Sequence, residues 1–180
     1  MDIAKIGSLL AYVSSNLPNI NLRKLIKIVF LIDEKSVIDR GLPITWLDYY
    51  AWKKGPVAPC IYDVKNKKNL FSSYVSAELD DEGRNIIHSS VDCSESALQF
   101  SNKELRVIDS VIREFGELSA DDLSNFTHKR GGLWDNVVKM HHIDFSKEGK
   151  SDYSIDLKVL IANDKDKLAV YDEAREIALL

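Results

Sequence analysis

Cys60 and His128 are the two side chains that could make a nucleophilic pair, because a thiolate forms at neutral pH only beside a base or a cation. Cys60 stands between Pro59 and Ile61, where a free cysteine ordinarily serves as a small buried hydrophobe, and that is the expectation for it. His141, His142 and Asp144 could bind a metal. Adjacent histidines on a regular element point apart, however, and a helical zinc pair sits at i and i+4, so this cluster reads as solvated loop. Lys53, Lys54, Lys65, Lys67 and Lys68 crowd around Trp52 and Tyr62, a mixture that can hold phosphates and stack bases. None of the five is an arginine, and the preferred reading is of solvated lysines that keep a sheet edge from pairing. Trp52, Trp134 and the Thr127-His128 pair could form a recognition surface or belong to the core; the average burial of tryptophan favours the core. No Gly-rich phosphate loop, G-x-S-x-G elbow or H-E-x-x-H pattern occurs, so no catalytic residue, cofactor or metal is expected.

The elements that must position these groups follow from hydrophobic spacing. Ile3, Ile6, Leu10, Val13 and Leu17 make one stripe of a helix capped by Asp2 and closed by Pro18. Asn21 opens a second helix, where Leu22, Leu25, Ile26, Val29 and Phe30 form a stripe that Ile28, Leu31 and Ile32 widen, so it is expected to be buried on more than one side before Gly41 and Pro43 stop it. Alternation through residues 44–52 predicts a strand. Gly55, Pro56 and Pro59 then predict a sharp corner into a short helix through Cys60, Ile61 and Val64. Ile86, Ile87 and Val91 on one side of the polar residues 92–96, with Ala97, Leu98 and Phe100 on the other, predict a hairpin. A capping box from Ser101 to Glu104 starts a helix carrying Leu105, Ile108, Val111, Ile112 and Phe115. Ser119 caps another, and Gly131-Gly132 precede a third with Leu133, Trp134, Val137 and Val138. Residues 141–153 read as a surface connection, after which Ser154 is expected to cap a helix over 155–161 and Asp166 to precede Leu168, Tyr171, Ala174 and Ala178 on one face of the last helix. The fold class expected is α+β, mostly α-helical: a single compact domain with a small antiparallel β-sheet.

At 180 residues, with 45% hydrophobic and 29% charged residues, the chain suits one globular domain. A formal charge of -4 gives no general attraction for polyanions, so nucleic acid is a disfavoured partner. Its two cysteines form no C-x-x-C pair, which fits a reducing compartment. Met1 to Gly7 is broken by polar residues and lacks the apolar run of a signal peptide, and the longest apolar run, residues 28–32, is far short of the ~20 residues a membrane helix needs. A cytoplasmic location without membrane contact is expected.

Lys24-Leu25-Ile26-Lys27-Ile28-Val29-Phe30, Gly41-Leu42-Pro43, Ala51-Trp52-Lys53-Lys54-Gly55-Pro56-Val57-Ala58-Pro59-Cys60-Ile61-Tyr62, and then Thr127-His128 and Trp134 follow in an order and spacing that resembles the Panacea domain of SocA-like antitoxins. The A-W-x-x-G-P-V core followed by a tyrosine is the most specific part. The resemblance implies a Panacea (SocA-like) domain over residues 1–140, with 141–180 a C-terminal helical extension packed on the same domain. It also implies a non-catalytic antitoxin of a bacterial or prophage toxin-antitoxin system, which neutralises a cognate protein toxin by direct complex formation. The alternative is a proteolytic adaptor that delivers the toxin to a bacterial protease; a nucleic-acid-binding regulator is a weaker one. Lys24, Trp52, Gly55, Pro56, Val57, Tyr62, Thr127, His128 and Trp134 are expected to be structural, with Trp52 and Tyr62 largely buried. Lys53 and Lys54 are the expected partner-binding residues, because exposed charge steers a complementary partner.

Overall fold

The side chain of Asn21 accepts a hydrogen bond from the Lys24 N–H at 2.9 Å, and Gly41 takes the left-handed conformation, φ 78°, that ends a helix. Between them runs α2 (Leu22–Arg40), the central element of the computed structural model, which describes residues 1–178. Every residue from 25 to 33 is buried, as expected of a helix that is apolar nearly all round. Packed against it are α1 (Ile3–Asn16), α5 (Asn102–Phe115), α6 (Ala120–Thr127) and a 3-10 turn, Leu157–Ile161. Asp2 caps α1, and Ser101 and Ser119 open α5 and α6 with reciprocal capping boxes. Glu104 of the first box also meets Lys5 at 2.6 Å, tying α5 to α1. The remaining helices are α3 (Pro59–Tyr62), α4 (Cys93–Ala97), α7 (Leu133–Met140) and α8 (Lys165–Ala178).

The fold is α+β and mostly helical, with its antiparallel strands in two small sheets. In the first, β1 (Tyr49–Trp52) lies between β2 (Gly55–Val57) and β5 (Ser154–Ile155). The second is the hairpin of β3 (Val75–Leu79) and β4 (Asn85–Ser89), whose Ile87 N–H donates to Ile20 O at 2.9 Å just before α2 begins.

Several sequence expectations are corrected. The hairpin uses residues 75–89, with the Asp80 side chain accepting the Glu82 and Arg84 N–H groups in its turn. Residues 93–97, expected within a hairpin around 92–96, form α4 instead, packed on α1, with Asp92 accepting the Ser94 N–H at 2.8 Å as its cap. The strand expected over 44–52 is confined to its last four residues. Ahead of it, the wholly buried Asp33 accepts from the Ile44 N–H at 2.7 Å, the Thr45 N–H at 3.0 Å and the Thr45 hydroxyl, so these groups take a side chain as partner. The tight turn is at Lys53-Lys54, since Trp52 faces Gly55, and Gly55-Pro56-Val57 is itself a strand. Proline is tolerated there because β2 is the outer strand of its sheet. Ser154 does not cap a helix: it pairs with Tyr50 in β5, and Asp156 caps the 3-10 turn that follows.

Candidate functional site: a cationic groove beside the β1–β2 hairpin

Three side chains clamp this hairpin. Gly55 sits at φ 106°, and a Cβ there would lie 2.8 Å from Lys27 Nζ and 3.0 Å from His128 Nε2. The missing side chain thus admits Lys27 from α2 and His128 from the end of α6 to the hairpin backbone. Lys27 Nζ donates to Pro56 O at 2.9 Å, and Trp134 Nε1 of α7 donates to Trp52 O at 2.8 Å. The His128 ring stacks on Trp134 with centroids 3.8 Å apart. His128 Nε2 is buried with no hydrogen-bond partner among the described residues.

Lys27 is only 1% exposed, and burial, helped by the nearby Arg23 guanidinium, pulls its ammonium down to about 7. His128 is lowered by burial and then by Lys27 and Lys54. The folded protein therefore releases the Lys27 proton near neutrality, whereas the unfolded chain holds it to about pH 10. Because the unfolded state binds more protons across that interval, stability is expected to rise with pH from about 7 towards 10. Urea denaturation at a series of pH values checks this, and Lys27→Met is expected to flatten the rise.

Next to the clamp lies a groove of about 610 Å³. Leu22, Ile26 and Val57 supply apolar lining, with Lys27 among them. Arg23 comes from α2, Lys53 and Lys54 from the hairpin turn, Lys65 from the turn after α3, Arg84 from the tip of the β3–β4 hairpin, and Lys150 from the segment leading to β5. Among the described residues no aspartate or glutamate lines it. Arg23 and Arg84 have carboxylate partners, Asp121 at 2.8 Å and Asp80 at 2.7 Å. The five lysines form no salt bridge among the described residues.

Trp52 and Tyr62, half-buried where the sequence suggested fuller burial, meet edge to face at 5.1 Å in this groove. Lys65 Nζ lies 3.7 Å from the Tyr62 ring centroid, and Lys150 Nζ lies 4.6 Å from that of Trp52. The segment carrying Lys150 is fastened by the Lys53 N–H donating to Gly149 O at 2.8 Å and the Ser151 hydroxyl donating to Ala51 O at 2.6 Å.

The other sequence candidates fall elsewhere. Lys24 donates to Gly116 O at the end of α5, and Thr127 is buried in α6, bonded to Ser124 O. Lys67 and Lys68 line a separate depression with Cys60 and Asp63. Burial pushes the Cys60 thiol up to about 11, which leaves it protonated at neutral pH. His141 stacks on Tyr153 at 4.0 Å, and among the described residues no group of three His, Cys, Asp or Glu side chains is placed to hold a metal. Lys27, Arg23, Arg84 and Lys150 were not singled out as site residues from the sequence. A signal existed for Lys27, a lone charge inside the apolar run of residues 25–32.

Fold and site define an α+β domain with a clamped hairpin and an open cationic groove, and no helix among the described residues is long and apolar enough to cross a membrane. The chain belongs to the family described as antitoxin SocA-like, Panacea domain, whose model matches residues 25–135. That stretch holds the central helix from Leu25 on, the β1–β2 hairpin and the three clamping side chains; Leu22 and Arg23 at the start of α2, Lys150 and β5 lie outside it. No curated protein and no solved structure matches the chain.

Proposed function

We propose that the protein neutralises a cognate protein toxin by forming a complex with it in the cytoplasm, with Lys53 and Lys54 on the contact face. The observation that carries this reading is membership of an antitoxin family. The choice of face is supported by both lysines being exposed at a hairpin tip, where their charge is free for a partner. We take Gly55 and the side chains that clamp its hairpin, Lys27, His128 and Trp134, to serve the partner indirectly, by holding that tip in place. Residues 1–140 with the extension 141–180 are proposed to act as one unit.

Co-expression with the adjacent open reading frame tests the proposal. Growth rescue and a co-purifying complex are expected, and the double variant Lys53→Glu/Lys54→Glu is expected to slow association by about tenfold while leaving the fold intact. A neighbour that is toxic yet neither bound nor neutralised would rule the reading out. Toxin half-life, compared in cells with and without the relevant protease, separates sequestration, which leaves it unchanged, from delivery for degradation, which shortens it.

A further inference from the structure

The groove points to the chemistry of what it binds: we propose that it receives a short acidic segment of the toxin, aspartates and glutamates flanking one apolar side chain. This rests on the antitoxin reading and adds to it a binding site and a ligand class. Seven of the chain's 24 basic residues line the groove and none of its 28 acidic ones does, which leaves seventeen bases against 28 acids for the rest of the molecule. A long polyanion would track out of the groove onto a net-negative surface, whereas a short segment stays within the positive field. A volume of about 610 Å³ falls in the ordinary range for a ligand cleft, and Leu22, Ile26 and Val57 offer an apolar side chain somewhere to go.

The cations are free to respond. Lys65 and Lys150 rest on the aromatic rings of Tyr62 and Trp52, contacts that are weak where water reaches them, so an arriving carboxylate can draw them off and uncover ring surface. Lys27, buried at the base of the groove, stays on Pro56 O, so the response falls to the cations above it. Arg23 and Lys150 lie outside the residues the family model matches, so two of the groove's seven basic positions are set by sequence beyond the shared domain.

The test titrates the full chain, at about 20 mM salt, with a glutamate-rich octapeptide carrying one leucine and separately with octathymidylate, following tryptophan fluorescence and calorimetry. Saturable one-to-one peptide binding is expected, weakened about tenfold or more by Lys65→Glu/Lys150→Glu with circular dichroism unchanged. Absence of saturable peptide binding, equal binding by the double variant, or tighter binding of octathymidylate would each overturn the proposal, the last by giving the groove to nucleic acid. The antitoxin reading fails separately. A toxin complex unaffected by Lys65→Glu/Lys150→Glu sinks the groove alone, whereas peptide binding without a neutralised neighbour supports the groove chemistry and sinks the antitoxin.

Discussion

Replacing Asp33 by alanine is expected to cost about 4 kcal/mol or more, enough to bring a typical domain close to unfolding at room temperature. The carboxylate accepts from the Ile44 N–H, the Thr45 N–H, the Thr45 hydroxyl and, at 2.8 Å, the Tyr49 hydroxyl. Burial pushes the Asp33 carboxyl above its ordinary range, and bonds from Thr45, Tyr49 and Ile44 pull it back. Alanine would leave the two N–H groups and the Thr45 hydroxyl in a dry interior without that partner, each at a cost of about 1–3 kcal/mol if water cannot reach it, while the Tyr49 hydroxyl keeps a long contact to Val29 O at 3.5 Å. A carboxamide in its place would keep one acceptor oxygen for the two N–H groups but turn a donor towards the Thr45 and Tyr49 hydroxyls, so Asp33→Asn is expected to lose roughly half as much. Urea denaturation midpoints measure both. A loss below about 1 kcal/mol for Asp33→Ala would mean that water replaces the carboxylate.

Gly55→Ala is expected to cost about 3 kcal/mol and to lower the melting temperature by roughly 6–12 °C. Part of this comes from a left-handed backbone that disfavours any Cβ, and part from contact with Lys27 Cε at 2.9 Å as well as Nζ. If Lys27 yields, it gives up Pro56 O, a buried acceptor on the strand it holds. The two causes separate in a double-mutant cycle with Lys27→Met. Coupling of about 0.5 kcal/mol or more is expected between residues in such contact, and simple additivity would assign the whole effect to the backbone.

What could be read from the sequence was local. The caps Asp2, Asn21, Ser101 and Ser119 each act within three residues of themselves, and each opens the helix that its spacing predicts. The hairpin was misplaced because pairing is non-local: Asp92 supports a turn or a helix cap equally well, and only packing against α1 selects the helix. The alternation of Val75, Ala77 and Leu79 ahead of Gly83, at φ 74°, held the true hairpin signal. The groove was half visible. Lys53, Lys54 and Lys65 are near one another in the chain, but Arg23, Lys27, Arg84 and Lys150 join them only through the fold. The mutual position of Lys27, Gly55 and His128 likewise depends on how α2 and α6 meet β2.

The placement of β5 governs how the chain can be divided. Tyr49 and Tyr50 pair with Ile155 and Ser154, and the Ala51 N–H donates to Tyr153 O at 2.9 Å. All three partners lie beyond residue 135, where the family match ends. A fragment cut to the matched segment would carry β1 with a row of open backbone donors and acceptors beside apolar side chains. Such a row recruits a strand from another copy, so the excised fragment would tend to self-associate through the surface next to its groove.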